Sequence, residues 1–323
     1  MRKSSLVIAG TAWAVLLVCQ SLPVLAAGSK AGIEISPVYQ NVSLGTNQPS
    51  VTNYVTLVNS TPVPESFALS TVDFGSLNET GGVAFLGTSS SSYARKYGLS
   101  RWMKLNESSV TLTPGQSTNI ALTIENSPSL SYGGHYGAIL ATAQTAPSGS
   151  KISAHVGVLE VLSSLFLLVK AGGPMPNLRV ISQRVEDRFL QMPTQIDTLF
   201  QDQGDVHVVP RGVINITDPT GKLVARGALD VNSSAILPAT LRKYSTPLLQ
   251  LTSAWLPGYY KVSMVYRYDG TTATKTFVSG FWYFDFAGLW ILVFLVLVLV
   301  CAGALYVSRK RWMPRLKWRR SGK

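Results

Sequence analysis

The chain has 323 residues, 46% of them apolar, and a formal charge of +12 at pH 7. That charge is terminal: Arg2 and Lys3 begin the chain and eight of the last fifteen residues are Lys or Arg, whereas 28–285 hold 18 basic and 16 acidic residues. Singly spread charges exclude a nucleic-acid-binding stripe, and a mean hydropathy of +0.21 excludes a disordered chain and asks for a membrane segment.

In chain order, a basic start, an apolar run from Leu6 to Cys19 and the close Pro23-Val24-Leu25-Ala26-Ala27 read as a signal peptide over 1–26, with Val24 and Ala26 as the small residues before the cut. Leu16 lies three before Cys19, as in a lipoprotein signal, but Val18 is too large for that cleavage. No cysteine occurs between Cys19 and Cys301, so the region between them has no disulfide, thiol catalyst or cysteine zinc site, and a prokaryotic surface protein is expected. Six Asn-x-Ser/Thr sequons, at Asn41, Asn59, Asn78, Asn106, Asn215 and Asn232, point the other way, and a composition rich in Asn, Ser and Thr accounts for them as well.

Residues 28–170 read as a first β-sandwich. Ile33 to Leu44, Val51 to Val58 and Ser66 to Asp73 are β-rich runs broken by turn residues. Val110 to Thr113, Pro114-Gly115 and Ser117 to Ile124 make a hairpin in which Ile120, Leu122 and Ile124 alternate with wet positions. His135 to Gln144 and His155 to Lys170 are two further strands, and 77–104 is an excursion too long for a passive turn. Residues 171–176 have linker composition. A second sandwich is expected over 177–285, with Leu178 to Val185, Val206 to Ile216, Lys222 to Asp230, a polar-flanked stretch to Leu251, then Gly258 to Tyr268 and Thr272 to Tyr283. The fold class is therefore all-β, two immunoglobulin-like β-sandwich domains followed by one transmembrane helix.

That helix is expected over 286–308. The twenty-three residues between Asp285 and Arg309 carry no charge and make a helix of about 34 Å, enough for a hydrocarbon core of about 30 Å. The basic tail, 309–323, places the C-terminus in the cytoplasm and the sandwiches outside a single-pass cell-membrane protein. Trp282, Tyr283 and Trp290, with Tyr306 and Trp312 beyond, resemble interfacial aromatic belts. Leu237-Pro238-Ala239-Thr240-Leu241 resembles a sortase sorting signal, but it lacks the glycine and lies too far before the apolar segment, so a proline turn between strands is expected.

The catalytic inventory is thin. No Gly-x-Ser-x-Gly elbow, phosphate loop or His-Glu-x-x-His occurs, and the only histidines are His135, His155 and His207. Asp202, Asp205 and His207 lie close in sequence but lack the alternating oxygen ligands of a calcium loop, and a solvated hairpin is expected there. No enzyme, cofactor or metal is expected. Trp102, Tyr132, His135 and Tyr136 are the candidate ligand-binding set, because sugar rings stack on aromatics and a histidine can hydrogen-bond their hydroxyls; partial core is the competing role.

Ile33-Glu34-Ile35-Ser36-Pro37, the tract Trp102-Met103-Lys104-Leu105 followed by Ser109 to Ser117, and Gly133-Gly134-His135-Tyr136-Gly137-Ala138-Ile139-Leu140 resemble the first domain of the WxL-interacting protein family and, more distantly, periplasmic pilus chaperones. The resemblance implies a membrane-anchored bacterial surface protein whose first domain binds peptidoglycan and whose second binds a protein partner. The expected function is a non-enzymatic cell-surface adaptor contacting cell-wall glycan or surface proteins. Its rival is a membrane-tethered chaperone for secreted or pilus-like subunits acting by β-strand complementation. A long unpaired strand edge in the first domain favours the rival, and a covered edge beside an exposed aromatic groove favours the adaptor.

Overall fold

A computed structural model describes residues 32–87, 91–144, 160–185, 191–284 and 286–311. The first sandwich is built from β1 (Ile33–Ser36), β2 (Tyr39–Leu44), β3 (Ser50–Asn59), β4 (Glu65–Leu77), β5 (Gly82–Gly87), α1 (Ser92–Tyr97), β6 (Met103–Leu105), β7 (Ser109–Leu112), β8 (Ser117–Glu125), β9 (Gly133–Ala143) and β10 (Val161–Lys170). One sheet has the order β1-β3-β8-β6; the other runs β2-β10-β9-β4-β5, with β7 also on β4. Leu57, Ile120, Leu122 and Ile124 from the first face Phe67, Ile139, Phe166 and Leu168 from the second, all fully buried. The period-two alternation of β8 thus supplies one wall of the core.

The expected continuous run from Ile33 to Leu44 is two strands in different sheets. Proline has no amide hydrogen to give a ladder, and at Pro37 the chain leaves β3 and crosses to β10, which β2 joins in parallel. The excursion over 77–104 is β5, the short helix α1 and a 3-10 turn leading into β6; 88–90 lie outside the described residues, as do 145–159, so the strand expected from His155 is described only as β10.

The second sandwich contains β11 (Leu178–Val185), β12 (Gln195–Asp202), β13 (Pro210–Thr217), β14 (Leu223–Leu229), β15 (Leu241–Pro247), β16 (Leu249–Gln250), β17 (Gly258–Tyr268) and β18 (Lys275–Tyr283). Its sheets are β11-β12-β15 and β16-β14-β13-β17-β18. Phe200 meets Tyr244 and Tyr266 edge-on at 5.7 and 5.5 Å between ring centroids, inside a core with Ile214, Tyr260 and Met264. The strand expected from Val206 begins only at Pro210; before it, Val208 makes an isolated bridge to Ile236. A single helix, α2 (Phe286–Arg311), follows, and its segment Trp290–Arg309 is long and apolar enough to cross a membrane. The signal peptide and most of the basic tail lie outside the described residues.

Candidate functional site

The two sandwiches meet through a joint of aromatic and charged side chains. Ser91 caps α1, its Oγ accepting the Ala94 amide at 3.0 Å, and Asp73 Oδ1 accepts the Leu99 and Ser100 amides at 2.8 and 2.7 Å where the chain leaves the helix. So held, α1 offers Lys96 Nζ and Tyr97 Oη to Asp205 Oδ1 of the second sandwich, at 2.6 and 2.8 Å. The Tyr136 hydroxyl accepts the His207 amide at 2.9 Å and lies 3.3 Å from His207 Nδ1. Gly134 donates its amide to Asp205 O at 2.7 Å. A side chain at Gly134 would put its Cβ 2.3 Å from Tyr136 Oη and 3.1 Å from Asp205 O, so only glycine permits this approach. Leu237 and Ala235 of the second sandwich pack with Val72, Phe74, Tyr136 and Leu167 of the first.

These contacts set the local electrostatics. The Lys96 ammonium and Tyr97 hydroxyl hold Asp205 below the usual carboxylate range, and Asp205 in turn raises Lys96 to about 12. Burial pushes His207 down to about 4 and also lowers His135. Burial raises Asp202 to about 7 against the pull of its Oδ1 bond from the Gly204 amide. The segment 202–207 is therefore not the solvated hairpin expected from its polar composition: it is the second sandwich's half of the joint. No group of three or more His, Cys, Asp or Glu side chains converges on one point among the described residues.

Of the sequence candidates, Tyr136 is fully buried in the joint and His135 is buried too, its ring nitrogens 2.9 Å from Ser131 O and 3.2 Å from Gly98 O. Trp102 is half-buried, with Nε1 3.3 Å from Ser129 Oγ and its ring edge-on to His135. Tyr132 alone presents a largely exposed ring, 57% accessible, with the Lys170 ammonium 5.4 Å from its centroid. The four side chains accordingly divide between interior and surface.

Beside the joint lies a cleft of about 310 Å3, walled by β2 and β10 on one side and by the segment Asn232 to Leu237 on the other. Val38, Tyr39, Leu165 and Leu237 give it apolar patches, and the ion pair of Arg211 with Asp269, at 2.6 Å, gives it a polar rim. Arg242 donates to Ala235 O at 2.6 Å and its guanidinium lies against Gly81, fixing a second crossing point.

β2 is the outermost strand of its sheet on that side. Val38 O and Leu44 O accept the Leu165 and Ala171 amides of the β10 side; by the alternation of a parallel ladder, Tyr39, Asn41 and Ser43 direct their main-chain groups away from β10. Across the sandwich, β3 is also open over Ser50–Val55, since β1 pairs only Thr56 to Asn59; Gln40 Nε2 donates to Tyr54 O there at 3.1 Å. Tyr39 and Tyr54 are 52% and 61% exposed along this side. Sequence reasoning absorbed β2 into one long strand and missed this edge, although the mid-run Pro37 was a signal for it.

No protein-family model matches the chain, and no curated protein sequence matches it. Solved structures to which the chain is similar at low identity include the class 5 fimbriae chaperone CfaA, at 11% identity over 77% of this chain and 99% of that one, with a TM-score of 0.42; the YadV chaperone, at 13% over 77% and 99%, TM-score 0.36; and the SafB chaperone in complex with the Salmonella enterica SafA pilin, at 8% over 78% and 99%, TM-score 0.38. Likeness of this size leaves the function of the chain to its own geometry, a two-domain β protein with a fixed joint, an open strand edge and one apolar helix.

Proposed function

We propose that the protein is a non-enzymatic, membrane-anchored binding protein that captures an extended segment of a secreted or surface protein along β2. The observation that carries this reading is the unpaired outer side of β2, whose Tyr39 and Asn41 also line the interdomain cleft. Strand addition supplies main-chain hydrogen bonds for affinity, and alternate side chains of the added strand enter adjoining pockets for specificity. Val38, Tyr39 and Leu237 suit apolar side chains, and the rim at Arg211 and Asp269 suits polar ones. The joint supports the reading because a cleft between fixed walls loses little entropy on binding. In this reading α2 spans the membrane with the basic tail in the cytoplasm and both sandwiches outside. The WxL-interacting resemblance implies the same membrane-anchored two-domain plan but gives the protein partner to the second domain, whereas this reading places capture on β2 of the first.

A photo-crosslinking residue at Tyr39 in the full chain, expressed in cells, tests this. Adducts with a protein are expected at Tyr39 and not at Val231, an exposed position past β14. Asn41→Pro, which removes one outward amide, is expected to weaken capture about five- to tenfold, the worth of one hydrogen bond of about 1 kcal/mol. Equal adduct yields at both positions, or capture indifferent to Asn41→Pro, would reject the strand-edge site.

A further inference from the structure

The end of the second sandwich that leads into α2 is unusual in what it exposes. Trp255 is 58% accessible, yet its backbone is held on both sides: the buried Tyr283 donates its hydroxyl to Ala254 O at 3.2 Å, and the buried Tyr260 donates to Leu256 O at 2.8 Å. A rigidly placed but exposed tryptophan is costly to leave in water. On the neighbouring strands Tyr259 and Trp282 are directly paired across the ladder, with ring centroids 5.7 Å apart, and remain 48% and 56% accessible. Gly280 gives the Tyr259 ring its place, because a Cβ there would stand 2.5 Å from the ring's Cζ and Oη. Trp282 in turn stacks on Phe284, 6.2 Å away and 10° from parallel. A cross-strand aromatic pair steadies a sheet by itself, but that role gives no reason for Trp255, which lies in a loop outside the ladder.

The chain fixes how far this end can stand from a bilayer. Tyr283 pairs with Gly258 at the end of the ladder, and α2 begins at Phe286. Three residue steps reach at most about 10 Å, comparable with the headgroup layer on one side of a bilayer, where tryptophan and tyrosine are favoured. Lys222, in the turn between β13 and β14, and Lys261, on β17, are exposed toward the same end and suit anionic headgroups.

We infer that Trp255, Tyr259 and Trp282 form a lipid-contacting edge that seats the second sandwich in the headgroup layer, so that the ectodomain is held against the membrane surface in one orientation. This rests on the reading that α2 spans the membrane. Because α2 would tether the domain, each ring meets the bilayer at a high effective concentration and needs only modest affinity of its own.

Site-directed spin labelling of the full chain in vesicles of phosphatidylethanolamine and phosphatidylglycerol tests it, with Cys19 replaced by Ser throughout. A label on the native Cys301 reports whether α2 is in the bilayer. With Cys301→Ser added, labels at Trp255→Cys, Tyr259→Cys and Val231→Cys report the ectodomain. Docking predicts that labels at 255 and 259 are shielded several-fold from a water-soluble nickel chelate relative to 231, and that this shielding disappears in detergent micelles. Nickel accessibility at 255 and 259 equal to that at 231, with Cys301 shielded, would overturn the docking and leave the anchor standing. An accessible Cys301 would overturn both. The two positions are read separately, so poor folding of one variant does not decide the result.

Discussion

The hydroxyl of Tyr136, on β9, accepts the backbone amide of His207 across the boundary between the two sandwiches at 2.9 Å. Tyr136 is fully buried and His207 half-buried, so water competes poorly for the bond. Tyr136→Phe keeps the ring and strands the amide. It is expected to cost about 1–3 kcal/mol, read as a lower denaturation midpoint in detergent, with the secondary structure unchanged. A midpoint equal to that of the parent would show that the bond does not hold the joint.

Leu237 is buried against Phe74, Tyr136 and Leu167. Leu237→Ala should destabilise by about 2–5 kcal/mol and loosen the joint without touching either central core. Limited proteolysis within 171–177 is the check: cleavage there should accelerate, while sites inside the strands stay protected.

Two groups in the joint, the buried Asp202 and the half-buried His207, oppose one another in pH. Asp202, whose Oδ2 has no hydrogen-bond partner, is raised to about 7 by burial. The folded state therefore holds its proton where the unfolded chain has released it, and its contribution to stability falls as pH rises from about 4 to about 7. His207 is lowered to about 4 by burial, with His135 lowered for the same reason. Their contributions are lost as pH falls from the ordinary histidine value of about 6.5. Between pH 4 and 6.5 the trends cancel in part. Asp202→Asn should convert a shallow profile into one rising with pH, and His207→Gln into one falling with pH; parallel profiles for the two variants would defeat the assignment.

The direction of the β2 amides yields a structural comparison. Asn41→Pro removes a group that faces outward and should leave the thermal midpoint within a few degrees of the parent. Val42→Pro removes an amide facing β10 and a buried side chain, and should cost about 3 kcal/mol or more. Similar midpoints for both would mean that the edge is oriented otherwise.

The strands that sequence reasoning located are those whose inward residues are apolar. β8 shows Ile120, Leu122 and Ile124 at period two, and β17 shows Tyr260, Val262 and Met264. β12 was missed because its inward side carries Thr198 and Asp202 beside Ile196 and Phe200, and β15 was read only as part of a polar-flanked stretch to Leu251 because it turns in Tyr244 and Thr246. Polar groups on a core face break the pattern that periodicity detects. The joint was illegible for a different reason. Tyr136 and His207 are 71 positions apart, and neither residue type announces an interdomain partner. Gly133-Gly134 was a weaker signal, and its use is to admit Asp205 O. The aromatic set gathered around His135 mixed two roles that only burial separates: Tyr136 in the joint, Tyr132 at the surface.

The short passage from β18 into α2 also has a mechanical side. If α2 spans a membrane and a captured partner is pulled away from it, the pull reaches α2 through the last residue of β18, along the strand's own axis. The nine paired positions between β17 and β18 then bear the load together, in shear, instead of parting one rung at a time. A strand anchored at this end is suited to holding tension, whereas the same ladder pulled from the side would unzip at a much smaller force.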